Sequence, residues 1–129
     1  MEIVREALAA WNDRDLDRWL ACWDSRGTWV PELHGAAQRI DAYRGHDGLR
    51  AYWGDEDAAS RRFPVEVQTV RHAGAEVVAI AVARPQAKNS RSGTTRRMAF
   101  RFRVRRGKII RGERYLHVSD ALVAAGLSE

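Results

Sequence analysis

From Arg97 to Arg105 the chain alternates: Met98, Phe100, Phe102 and Val104 fall on even positions, while Arg97, Arg101, Arg103 and Arg105 fall on odd ones. A period of two is the signature of a strand with one buried face. The stretch Ile109–Val118 also alternates, and Arg106-Gly107 joins the two as a hairpin. Gly107 suits a three-residue loop, a type I turn closed by a glycine in the left-handed region. In that register Val104 faces Lys108 and Arg114 faces Met98. Ile110, Gly112, Arg114, Leu116 and Val118 then join Met98, Phe100 and Phe102 inside, with Arg111, Glu113, Tyr115 and His117 outside beside Arg97, Arg101 and Arg103. A two-residue loop would exchange the faces of the second strand. The first register is favoured because it buries the more apolar set and seats Glu113 among arginines.

The pattern upstream is helical. Ile3, Val4, Ala7, Leu8, Ala10 and Trp11 repeat at helical spacing, Asn12-Asp13-Arg14-Asp15 breaks the run, and Asp15 caps a second helix to about Trp23. Gly27–Val30 reads as a short strand stopped by Pro31. Residues 32–44 are polar and irregular. A third helix follows Gly45-His46-Asp47-Gly48 with Leu49, Tyr52 and Trp53 as its apolar side, and Gly54–Ser60 reads as an acidic joint. Beyond Pro64 the pattern is β: Val65, Val67 and Thr69 alternate with polar residues, Ala73-Gly74 turns, and Val77–Val82 is an apolar run suited to a central strand. A polar connection covers 84–96. Ser119 or Asp120 caps a last helix that Gly126 ends, with Leu127 closing it. Helices followed by strands predict an α+β domain spanning 1–129.

Composition narrows the function classes. A net charge of +5 and a pI near 10.1 invite a nucleic-acid reading. The arginines are spread through every segment and alternate with core residues, so nucleic-acid binding is not expected. The single Cys22 excludes an internal disulfide and a multi-cysteine metal site, and the four histidines share no ligand spacing, so neither a metal nor another cofactor is expected. Glu2 and Arg5 interrupt any signal-like start and no apolar run is long enough for a bilayer, which predicts a soluble cytoplasmic protein without membrane partners.

Asn12–Trp19, Tyr43–Arg50, Gly107–Arg111 and the closing Ala121-Leu122…Ala125-Gly126-Leu127, in this order and spacing, resemble the SnoaL-like branch of the NTF2-like superfamily. The resemblance covers nearly the whole chain. It implies a cone-like fold, a strongly curved, mixed, mostly antiparallel sheet wrapped around the N-terminal helices, with a pocket in the cone and a homodimer formed through the sheet's outer face. It leaves function open, because the fold carries isomerases, epoxide hydrolases, polyketide cyclases and binding-only members. The acid–base residues of a ketosteroid-isomerase-like site would fall at Ala7, near Pro31 and near Met98, and none is present. An epoxide-hydrolase-like site would need two inner-face aspartates beside an arginine; the inner face of the last strands offers Arg96 and Arg114 but no carboxylate. The acid–base residue of a polyketide-cyclase-like site corresponds to His117 or its neighbourhood.

Candidate chemistry follows from residue type and place. An arginine on an apolar inner face needs a partner, so Arg114 either pairs with a buried acid, awaits an anionic or carbonyl ligand, or reaches solvent at the rim. Glu32 and His34 lie on the loop where this fold places a base, and either could move a proton. Trp29, Tyr52, Trp53, Arg96, Met98, Phe100 and Leu116 are the candidate pocket lining. The functional expectation is a pocket for a hydrophobic small molecule, polyketide- or terpenoid-like, isomerised, cyclised or dehydrated without a cofactor, with His34 or Glu32 as base and Arg114 stabilising a developing oxyanion. The alternative is a non-catalytic ligand-binding or dimerisation module.

Overall fold

The computed structural model describes residues 2–33, 42–58, 64–83 and 95–127, the backbone alone at 32 and 33. The order is α1 (Glu2–Asn12), α2 (Leu16–Ala21), β1 (Trp23–Leu33), β2 (Tyr43–Arg44), α3 (Gly45–Ala58), β3 (Val65–Ala73), β4 (Glu76–Ala83), β5 (Arg96–Arg105), β6 (Lys108–Tyr115) and α4 (Val118–Ala124). The strands form one curved sheet in the order β2-β1-β6-β5-β4-β3. Only the β1–β6 pairing among them is parallel. The mixed, mostly antiparallel α+β architecture is the expected one.

Asp15 caps α2 by accepting from Arg18 N at 3.2 Å. That helix stops at Ala21, short of the expected Trp23, because Trp23 starts β1. Pro31 does not stop β1. It lies where the β1–β6 register shifts between Val30 and Leu33, a place where a missing N–H breaks no ladder bond. The end of α1 is tied to β3 by one side chain: Asn12 Nδ2 donates to Val65 O at 2.7 Å and Asn12 Oδ1 accepts from Val65 N at 2.8 Å. Asn12→Ala leaves both backbone groups without these partners and is expected to lower unfolding free energy by about 1–3 kcal/mol, read by urea denaturation.

The β5–β6 hairpin corrects the expected turn. Arg106 and Gly107 both have positive φ, 53° and 76°, which makes a two-residue loop. Arg105 accordingly faces Lys108 and Val104 faces Ile109. A bulge then shifts the register, so that Arg103 faces Arg111 and Phe100 faces Arg114. The extra residue restores the face that the short loop had exchanged. Phe102, Gly112, Phe100 and Arg114 therefore share the inner face as expected, although Arg114 opposes Phe100 instead of Met98, and Ile109, not Ile110, enters the core.

Alternation along β4 and β5 sorts the sheet's two sides. Val77, Ala79, Ala81, Met98, Phe100 and Phe102 pack with α1, α2 and α3, whereas Val78, Ile80, Ala99 and Tyr115 pack with Ala121 and Leu122 of α4. The terminal helix thus lies on the outer face, opposite the other three. His117 stands at its N-cap without a side-chain bond, in place of the expected Ser119 or Asp120. At the other end Gly126 (φ 75°) and the bond from Leu127 N to Leu122 O, 2.8 Å, close it as expected.

Beside α4, the outer face carries a paired charge ladder. Glu113, 4% exposed, accepts from Arg101 Nη1 (2.9 Å), Arg111 Nε (2.7 Å) and Tyr115 Oη (2.9 Å), and Glu76 accepts from Arg101 and Arg103. Burial alone would raise the Glu113 pKa; the bonds from Arg111, Tyr115 and Arg101 together outweigh it and hold the carboxyl below its ordinary 4.5. Burial followed by the hydrogen bond to Glu113 pushes the Tyr115 phenol up to about 12. Because the folded pKa of Glu113 is the lower one, its contribution to stability is complete above 4.5 and is lost as the pH falls below that value. Glu113→Gln is expected to flatten the acid limb of a urea-stability profile; an unchanged limb would place the acid sensitivity elsewhere.

Candidate functional site

Between the helices and the inner face lies a cavity of about 80 Å³ lined by residues of α1, α2, α3 and five strands, including Trp11, Trp19, Trp23, Trp29, Tyr52, Glu56, Met98, Phe100 and Arg114. The aromatic rings hold one another. Trp29 meets Trp23 edge-on at 6.1 Å and Tyr52 at 5.7 Å, and stacks on Phe100 at 6.2 Å; Trp11 stacks on Tyr52 at 5.8 Å. Such pairs add specific geometry to the burial that fills the core. Gly112 of β6 makes the arrangement possible, since a Cβ there would come within 2.7 Å of Trp23 Cη2 and 2.9 Å of Trp29 Cε3.

Polar groups enter from two sides. From the sheet comes Arg114, half-buried, its Nε enclosed without a hydrogen-bond partner. From α3 comes Glu56, 8% exposed, one helical turn beyond Tyr52 and 3.5 Å from its hydroxyl, with Tyr52 Oη donating. Burial, and after it the negative charge of Glu56, pushes the Tyr52 phenol well above its ordinary range; Arg114 opposes that rise. The Trp29 indole N–H lies near the same hydroxyl and also opposes it, without reaching hydrogen-bond geometry. A carboxylate, a phenol and a guanidinium therefore act on one another within an aromatic enclosure. Groups of these types are suited to stabilising negative charge and exchanging a proton.

The structure places the expected lining residues in different surroundings. Trp29, Tyr52, Met98, Phe100 and Arg114 line the cavity. Trp53 is buried behind it, against Trp11 and Trp19. Arg96 is solvent-exposed at the start of β5, and Leu116, past the end of β6, lines a shallow outer groove with Arg71, Arg97 and Leu122. Arg96 precedes the buried part of β5, which starts at Met98, and Leu116 follows the last paired residue of β6 and joins Ile80 and Leu122 of the outer face. His34 lies outside the described residues, as does the Glu32 side chain. His117 is exposed, and His46 packs against Trp23 O through Nε2 at 3.0 Å. Ala7 and Met98, where the resemblance would put acid–base groups, do line the cavity and offer only apolar surface.

Glu56 is the residue that sequence reasoning missed. Its segment read as a joint, but α3 runs through Gly54 to Ala58 because Leu49, Tyr52, Trp53 and Glu56 form one buried face. The i, i+4 spacing of Tyr52 and Glu56 was the available signal.

A family model described as a SnoaL-like domain matches residues 4–112. The chain belongs to the SnoaL-like domain family. Solved structures share its fold. A hypothetical protein with a ketosteroid isomerase-like fold from Catenulispora acidiphila DSM 44928, in complex with trimethylamine, is 23% identical with a TM-score of 0.72, over 98% of this SnoaL-like chain and 94% of that one. An NTF2-like protein of unknown function from Burkholderia pseudomallei K96243 is 22% identical at TM-score 0.75, over 97% and 95%. A proposed polyketide cyclase from Sinorhizobium meliloti is 20% identical at TM-score 0.67, over 88% and 94%. No curated protein matches the sequence. Among the described residues of this SnoaL-like domain, no helix is long and apolar enough to cross a membrane.

Proposed function

We propose that this SnoaL-like domain holds a small hydrophobic molecule in its aromatic cavity and acts on it by cofactor-free proton transfer. The observation that carries the reading is the Arg114 guanidinium in the cavity wall, its Nε buried without an acceptor, opposite a carboxylate on α3. In the step this arrangement suits, a carboxylate base takes a proton from carbon next to a carbonyl. The C–H electron pair becomes the new C=C bond and the C=O π pair moves onto oxygen, where Arg114 stabilises the charge. Return of the proton at another carbon gives isomerisation; loss of a hydroxyl β to the carbonyl, which takes the proton from the protonated base and leaves as water, gives dehydration. Glu56 is assigned the base, in addition to Glu32 and His34. The likeness to a proposed polyketide cyclase agrees with carbonyl-rich substrates. A cavity of about 80 Å³ is well below the roughly 300–1,000 Å³ of drug-sized sites, so it encloses the reacting ring and not a long polycycle.

Non-catalytic ligand binding is the second reading, favoured by the apolar Ala7 and Met98 at the family's acid–base positions. Native mass spectrometry of the protein as purified, followed by denaturing analysis of any released compound, tests occupancy. Exchange of that compound's C–H protons in D₂O separates the readings. Protein-dependent exchange that Glu56→Gln abolishes is expected for the enzyme; tight binding without exchange points to a carrier or sensor.

A further inference from the structure

Among the described residues, the buried side-chain polar atoms that lack a hydrogen-bond partner are Trp23 Nε1, Trp29 Nε1 and Arg114 Nε. All are donors, and all belong to residues lining the one aromatic cavity. A buried donor without an acceptor costs about 1–3 kcal/mol, and folded chains carry few of them. The outer face shows the contrast: Glu113, equally buried, is satisfied by Arg101, Arg111 and Tyr115. Unmet donors concentrated around one cavity describe the complement of what enters it.

We propose, building on the reading of the cavity as a ligand site, that its ligand is a planar conjugated oxyanion: a phenolate, an enolate or an aryl carboxylate. Such an ion brings lone pairs to N–H groups that make no hydrogen bond within the chain, and its charge is opposite to that of Arg114. Its flat ring suits a cavity walled by aromatic side chains, Trp29, Tyr52 and Phe100 among them. A neutral hydrocarbon of the same size leaves the donors unmet. An organic cation has the aromatic faces in its favour, but it meets Arg114 as a like charge and offers no acceptor.

Isothermal titration of the full chain with benzoate, toluene and benzylammonium, three one-ring probes of different charge, tests this. Benzoate is expected to bind more tightly than either of the others by about tenfold or more, the worth of one charge-assisted hydrogen bond. Trp29→Phe keeps a ring and removes the N–H; it is expected to weaken benzoate about tenfold more than it weakens toluene. Equal binding of benzoate and toluene overturns the oxyanion assignment while leaving the pocket intact. Tighter binding of benzylammonium overturns it in favour of a cation site, and an equal loss of benzoate and toluene in Trp29→Phe removes the indole donor from the argument. If no probe binds and the purified protein carries no compound, the cavity holds water only, and both this proposal and the ligand-site reading fail.

Discussion

Arg114→Met is expected to move ligand affinity and stability in opposite directions. Methionine keeps much of the length of the arginine stem and fills the wall with apolar surface, but it removes the positive charge and the unmet Nε donor of a half-buried residue. An enclosed Nε–H without an acceptor is a liability to the fold, so unfolding free energy should rise by about 1 kcal/mol. Affinity for benzoate should fall by about a hundredfold, because a charge-assisted bond and the Coulomb attraction vanish together. Urea denaturation and calorimetric titration of the same preparation read both quantities. A destabilised variant with unaltered affinity would make Arg114 a structural residue and remove the anchor from the proposed function.

Gly112→Val should be the most damaging single change to the cavity wall. Valine is favoured in strands, so local propensity alone predicts a gain. The environment reverses the sign: a Cβ meets Trp23 Cη2 at 2.7 Å, Trp29 Cε3 at 2.9 Å and Phe102 Cε1 at 3.0 Å, and all are ring atoms packed on other rings. Forcing them apart is expected to cost about 3 kcal/mol or more, in the range of overpacked cores. It should also shift the tryptophan emission as the rings move. A neutral or stabilised Gly112→Val, measured by urea denaturation, would show that the glycine is not there to admit the tryptophans.

The strands were legible because the residues that build them obey one rule at a time. Arg97 to Arg105 alternates cleanly, and the structure uses that alternation without exception. The Arg106-Gly107 loop was less informative: an arginine in the left-handed region is uncommon, so glycine alone suggested the longer turn. The faces nevertheless came out as expected, since a bulge compensated for the shorter loop. No residue type announces such a bulge. The site was legible where it is made of strand and aromatic residues, Trp29, Phe100 and Arg114. Glu56 was hidden by its neighbours: Gly54, Asp55 and Asp57 gave the segment the look of a linker, whereas burial of Leu49, Tyr52 and Trp53 carried the helix through it. Tertiary packing overrode local propensity, as it commonly does for a single glycine in a helix.

The parallel pairing of β1 with β6 sets when the cavity can exist. Trp29 lies beside Gly112 in that pairing, so the first strand and the last build one wall of the site. Before the chain is synthesised through β6, β1 has only the two residues of β2 to pair with and Arg114 has not been made. Non-local closure of this kind is slow relative to helix formation, because the loop entropy is lost before the contacts form. The nascent chain is therefore expected to hold its helices before the β6 edge of β1 is covered. A ligand that binds the finished cavity stabilises the last closure to form, so growth with abundant ligand should raise the yield of folded protein without altering any earlier step.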